Sequence, residues 1–238
     1  MNILITGGSS GLGKAFTTKL AQEHPESTIY FTYNSSVEDA KDIEKRFSNT
    51  SALQLNFKNS QSIDAIAVKI IDYNIDVLIN NAVSSFSNNH FHKTDNSLFL
   101  TSFTENILPV LKISSAFIKE ARQKKSGKII TILTAYVGGA PVLGLSEYIA
   151  NKNYLLSMAR SWATENVKFN IQSNCISPEF MDTPLNSSLD VRLKEEMTKS
   201  HPLKKLLTTE DVAEVVNFLV TAPAHINGQN IFLDTGKN

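Results

Sequence analysis

The stretch Ile3-Leu4-Ile5-Thr6-Gly7-Gly8-Ser9-Ser10-Gly11-Leu12-Gly13 decides the reading of this chain. Ile3 to Thr6 is a short β-branched run stopped by glycines, which suits a strand buried on both faces. Helical spacing begins at Leu12 and runs to Glu23, with Pro25 beyond it. A strand, a glycine-rich turn and a helix in that order make a device for holding an anion. The glycines admit close approach of the backbone, and the helix N-terminus sets partial positive charge against a pyrophosphate. The spacing is G-x-x-x-G-x-G, not the G-x-G-x-x-G of the general dinucleotide fingerprint. Glycines alone also occur in ordinary loops; the strand–turn–helix context points to a nucleotide.

The same alternation continues outward. Strands are predicted at 29–33, 51–57, 76–80, 128–133, 171–176 and 231–234, and helices at 38–47, 63–73, 146–165 and 210–220. A long helix is predicted over 98–122, kinked at Pro109, after a loop over 84–96. The pattern predicts an α/β fold: one doubly wound, Rossmann-type domain over 1–238, with a mostly parallel seven-stranded sheet and helices on both faces. The excursion at about 180–208, carrying a polar helix over 190–199, reads as a substrate flap.

The 238 residues carry 23 Lys+Arg and 23 Asp+Glu, with 42% hydrophobic residues. Balanced charge argues against nucleic acid as partner, and the apolar content argues against disorder. The single cysteine, Cys175, leaves no disulfide framework and fits a reducing compartment. With no apolar run long enough to span a membrane and no signal-peptide pattern, a cytoplasmic protein is expected. His90 and His92 lack a third ligand, so no metal site is expected.

Four motifs, taken together in order, resemble the short-chain dehydrogenase/reductase family: the turn Thr6–Gly13, Asn80-Asn81-Ala82 after the fourth strand, Tyr148-x-x-x-Lys152 on a helix, and the closing Asn227-Gly228-Gln229 with Asp234-Thr235-Gly236. The resemblance runs from residue 6 to residue 236. It implies a nicotinamide dinucleotide held by Gly7, Ser9, Ser10, Gly11, Leu12 and Gly13, by Asn34, Ser35 and Ser36, by Asn56 and Phe57, by Asn80, Asn81 and Ala82, and by Pro178, Met181 and Thr183, with Tyr148 and Lys152 at the ribose. The end of the second strand, Tyr33-Asn34-Ser35-Ser36, offers no carboxylate for the adenosine ribose hydroxyls. NADP is therefore expected, with NAD possible. Asn34 to Ser36 would take the phosphate and Lys14 stands further off; the plainer alternative is a helix cap.

Tyr148 and Lys152, four apart on a helix, share a face. Reducing a carbonyl builds negative charge on oxygen, so an acid must supply a proton, and an ammonium nearby should lower the tyrosine pKa. The family resemblance assigns substrate polarisation to Thr134, fourteen residues before Tyr148 and one more than the usual spacing, and a proton relay to Asn106. Structural alternatives stand beside both: Thr134 as a strand-end residue, Asn106 as a partner for backbone freed near Pro109. Three glycines usual in the family are replaced by Val83, Glu179 and Thr235. Val83 raises the question of a strained backbone, and Glu179 of a carboxylate beside the nicotinamide. The expected activity is NADPH-dependent interconversion of a ketone (a 3-oxoacyl thioester, a sugar or a small ketone) and a secondary alcohol. The alternative is a cofactor-binding scaffold or sensor weakened in catalysis. The resemblance also implies a homo-oligomer, a tetramer or dimer, formed through the helices of Asn106 and Tyr148.

Overall fold

Seven strands form a parallel sheet in the order β3-β2-β1-β4-β5-β6-β7. The computed structural model describes residues 1–86, 88–139, 142–183 and 190–237. The strands are β1 (Asn2–Ile5), β2 (Thr28–Tyr33), β3 (Thr50–Gln54), β4 (Val77–Asn80), β5 (Gly127–Ile132), β6 (Ile171–Pro178) and β7 (Asn230–Leu233). The helices are α1 (Gly11–Glu23), α2 (Val37–Arg46), α3 (Ser60–Asp72), α4 (Asn96–Asn106), α5 (Leu108–Lys124), α6 (Ser146–Asn166), α7 (Val191–Ser200) and α8 (Thr209–Thr221).

Side chains alternate through the sheet and separate two cores. Leu4, Leu78 and Ile129 face a layer that includes Ile66, Phe117 and Trp162. Ile3, Ile5, Ile79 and Ile130 face Phe16, Leu20, Ile43 and Val216. Every residue of β4 and β6 is buried, which explains why these strands read as runs rather than as apolar–polar alternations. The chain builds outward from β1 to β3 and then returns to place β4 against β1. That reversal opens a crevice beyond the C-terminal ends of β1 and β4, where open α/β sheets hold ligands.

The long helix expected over 98–122 is instead two helices. Pro109 lies in the first turn of α5, a position where its missing N–H has no intrahelical partner to lose. The proline therefore starts a helix rather than kinking one. Asp95 opens α4 by accepting from Ser97 N–H at 2.8 Å. The strand expected over 51–57 ends at Gln54, because Asn56 N–H turns to Ser62 Oγ at 2.9 Å, next to the N-terminus of α3. Residues 184–189 of the expected flap lie outside the described residues, whereas its polar helix is present as α7. Among the described residues, no helix is long and apolar enough to cross a membrane.

Candidate active site

The glycine turn is built by close packing. A Cβ on Gly13 would lie 2.0 Å from Gly7 O and 2.7 Å from Asn81 Nδ2, so the first turn of α1 touches the loop that precedes it. Gly7 holds φ +67, a conformation that glycine adopts without steric cost. Thr6 Oγ1 accepts from Asn81 N–H at 2.9 Å and Ala82 N–H at 3.1 Å, and Asn81 Nδ2 donates to Thr6 O and Gly7 O. Asn81 and Ala82 thus brace the turn from β4. Ser10, the residue before α1, makes no side-chain cap and the first turn carries no acid. This leaves the helix N-terminus to an anion, and a positive dipole end with no side-chain cap and no acid fits a dinucleotide diphosphate.

The remaining nucleotide candidates lie along the same edge. Asn34 and Ser35 are exposed after β2, and no carboxylate stands among residues 33–36. Ser36 precedes α2 but caps no helix N–H; its hydroxyl instead meets Ser9 Oγ at 2.7 Å. The helix-cap alternative therefore does not account for Ser36. Lys14 pairs with Asp39 at 3.1 Å, so the more distant phosphate candidate is already engaged. Asn56 and Phe57 follow β3, with the Phe57 ring buried in the core. Asn80 turns away from the glycine turn to donate to Ser114 Oγ at 3.0 Å. Pro178 ends β6, and Met181 and Thr183 follow it, each partly buried.

Thr134, Tyr148, Lys152 and Asn106 reach this edge from β5, α6 and α4. Thr134 is 6% exposed just past β5, and its hydroxyl has no protein partner among the described residues. The Lys152 ammonium is buried 5.7 Å from the Tyr148 ring centroid and donates to Ile132 O at 2.7 Å. Burial pushes Lys152 down to about 8. The tyrosine shift runs opposite to the sequence expectation: burial first, and the neighbouring Tyr136 second, push the Tyr148 phenol up. The physical reason is the aim of the ammonium, which is turned to strand backbone while both groups are stripped of water. Cys175 is a buried β6 residue whose thiol burial pushes up to about 12.

Asn106 ties the loop after β4 to α4 and serves no backbone freed by Pro109. Its Oδ1 accepts from Ser84 N–H at 2.8 Å, and Nδ2 donates to Ser85 O and Ser102 O, both at 3.1 Å. It also lines, with Tyr148 and Lys152, a cavity of about 20 Å³, room for about one water. The loop it holds carries Phe86, whose ring lies 4.8 Å from that of Tyr148.

A buried polar cluster behind these residues escaped the sequence reading. Ser102 Oγ donates to Glu147 Oε1, and Asn151 Nδ2 donates to both, at 2.8 and 3.1 Å. Glu147 is 3% exposed beside Tyr148. Asn151, four residues on, was within reach of sequence reasoning; Ser102 was not.

The family model described as Enoyl-(Acyl carrier protein) reductase matches residues 7–238. The chain belongs to the short-chain dehydrogenase/reductase family. As a short-chain dehydrogenase/reductase it is an oxidoreductase acting on the CH–OH/C=O pair. It is 30% identical to 3-oxoacyl-[acyl-carrier-protein] reductase FabG of Buchnera aphidicola subsp. Schizaphis graminum, over 98% of this chain and 95% of that protein. The FabG of Thermotoga maritima is 26% identical over 98% and 96%. Among solved structures, levodione reductase superposes with a TM-score of 0.89 at 23% identity, covering 99% of this chain and 96% of that one. A single-substitution variant of actinorhodin polyketide ketoreductase with NADPH gives 0.86 at 19%, with the same coverage.

The backbone answers two of the three departures from this dehydrogenase/reductase pattern, in opposite senses. Val83 has no positive φ, so its β-branched side chain sits there without strain. Thr235 does hold φ +59, where a β-branched residue is a steric outlier. Glu179 stands at the end of β6 with Oε1 2.6 Å from His201 Nε2 and Oε2 2.5 Å from Lys237 Nζ. The carboxylate expected beside the nicotinamide is thus already tied to the segment after α7 and to the C-terminal tail.

Proposed function

We propose that this oxidoreductase uses NADPH to reduce a ketone to a secondary alcohol, as a single domain with a flap beyond β6. The observation that carries the reading is the joint placement of Tyr148 and buried Lys152, one helical turn apart, on the edge that holds the glycine turn. Asn34, Ser35 and Ser36, with no carboxylate among them, support the 2′-phosphate. The FabG relatives are named for reduction of a 3-oxoacyl group, which supports a ketone as substrate; a thioester, a sugar and a small ketone all fit that description.

A reduced nicotinamide bound along this edge supplies the hydride for the carbonyl carbon. The protein's residues do the rest. Thr134 Oγ1, without a partner among the described residues, donates to the carbonyl oxygen and polarises it. Tyr148, kept protonated by burial, carries the proton that this oxygen requires, which supports the reductive direction. Lys152 holds the ribose hydroxyls, and turning its ammonium from Ile132 O toward Tyr148 offsets the charge of the phenolate left behind. Asn106 keeps the loop of Phe86 against Tyr148 and borders the small cavity through which Lys152 exchanges protons with solvent. Exposed Leu100 on α4 and Tyr154 on α6 support a homo-oligomer through those helices.

Titrating the purified protein with NADPH and NADH, followed by nucleotide fluorescence, tests the cofactor assignment. Tighter NADPH binding is expected. Tighter NADH binding would overturn the role of Asn34–Ser36, and binding of neither would favour the scaffold.

A further inference from the structure

A cavity of about 340 Å³ opens between the C-terminal ends of β5, β6 and β7 and the segment around α7. Phe180, Met197 and Leu206 give it apolar walls, and Tyr136, Glu179 and His201 give it a polar end. Ala135, which also lines the cavity, directly follows Thr134, so the cavity adjoins the strand end that carries Thr134. The polar end is built rather than incidental. Glu179 is 10% exposed and His201 5%, and the imidazole is oriented by Leu203 N–H, which donates to Nδ1 at 3.2 Å. With Nδ1 accepting, Nε2 carries the proton and donates to Glu179 Oε1.

We propose that this cavity binds a short ketone bearing a free hydroxyl, with the Glu179 carboxylate, held by His201 and Lys237, receiving that hydroxyl. The inference rests on the ketone-reductase reading and narrows it to a substrate class. A carboxylate offers about four acceptor positions, of which His201 and Lys237 take two. The Lys237 ammonium at 2.5 Å already balances its charge, so a neutral donor fits better than a second cation. Asp234 also lines the cavity and accepts from Gly236 N–H at 3.0 Å; its charge disfavours an anionic substrate group. An acyl chain would shield these oxygens from water while offering them no hydrogen bond, a mismatch that a pocket built around polar groups penalises. Tyr136 is drawn into the same arrangement: burial, and then the Glu179 charge, push its phenol up.

The test compares kcat/KM with NADPH for erythrulose and hydroxyacetone against butanone, aminoacetone and acetoacetyl-coenzyme A, using the full chain. The hydroxyketones are expected to exceed butanone by about tenfold or more. In Glu179→Leu that ratio is expected to fall by about tenfold, and Glu179→Gln, which keeps an acceptor, to restore part of it. The wild-type ratio stands even if the leucine variant does not fold. Butanone, aminoacetone or acetoacetyl-coenzyme A turning over as well as the hydroxyketones would overturn the inference and leave the ketone-reductase reading intact. No turnover of any carbonyl by an NADPH-binding protein would overturn both.

Discussion

Lys152 Nζ donates a 2.7 Å hydrogen bond to the main-chain carbonyl of Ile132, the last residue of β5. The bond fixes the ammonium at the strand ends, but one hydrogen bond does not replace the water a buried cation loses. The fold therefore carries a charge that suits chemistry at a cost in stability.

That cost has a defined pH dependence. Lys152 titrates at about 8 in the folded chain against an ordinary 10.5, so between those values the unfolded chain binds more protons and stability rises with pH. At lower pH the buried charge costs on the order of 3 kcal/mol. Cys175 works the other way above its ordinary 9.0, because the folded thiol stays protonated up to about 12. Without nucleotide, denaturant midpoints should rise from pH 8 to pH 9 and flatten beyond. Lys152→Met should unfold at higher denaturant than wild type at neutral pH, with an advantage that shrinks as pH rises through this window. A pH-independent difference would show that burial does not set the lysine's protonation.

Gly13→Ala places a methyl group 2.0 Å from Gly7 O. Neighbouring backbone cannot yield as a flexible side chain would, so a loss of about 1–3 kcal/mol is expected. Nucleotide affinity should fall with it, because the displaced atoms form the turn. Thermal unfolding and nucleotide fluorescence read the two effects, and an alanine variant that binds as wild type would remove this turn from the nucleotide site.

Ser102→Ala leaves the buried Glu147 carboxylate without one of its donors, which should cost about 1–3 kcal/mol. Asn106 loses a contact at 3.3 Å in the same change, so kcat is expected to drop severalfold through the loop of Phe86, with KM moving less. Ser102→Thr, which keeps the hydroxyl, should recover kcat. Equal melting temperatures for alanine variant and wild type would contradict a structural role for the buried Ser102–Glu147 hydrogen bond.

Thr235 invites the reverse change. Its φ of +59 costs a β-branched residue about 1–2 kcal/mol, and Thr235→Gly should return part of that in chemical denaturation, less about 0.4–1 kcal/mol for the glycine's greater freedom when unfolded. A destabilised glycine variant would mean that the Thr235 hydroxyl, 2.6 Å from Asp234 O, outweighs the backbone strain.

The parts of this molecule legible in sequence are those fixed locally. A fully buried strand such as β4 needs an apolar run, and the approach of α1 to Gly7 needs the glycine at Gly13; both leave marks within a few residues. Pro109 misled because a proline fits a kink and a first helical turn equally well, and only the packing of α4 against α5 decides between them. Glu147 reads in sequence as an acid in the first turn of a helix, favourable there for the helix dipole; its burial depends on Ser102, which no spacing rule connects to it. The lysine–tyrosine motif was visible, but the pKa shifts were not, since they follow from where Nζ points and how much water remains. Glu179 was noticed as a departure, while His201 and Lys237 meet it only in the folded chain.

The most direct test of the catalytic assignment is turnover of NADPH and a responsive ketone by Tyr148→Phe, with nucleotide affinity measured on the same sample. The phenylalanine ring preserves packing against Phe86 and removes only the proton donor. A loss of about 10²–10⁴ in kcat with NADPH affinity within a few-fold of wild type is expected. Near-wild-type turnover by that variant would contradict the account, because the proton would then come from elsewhere.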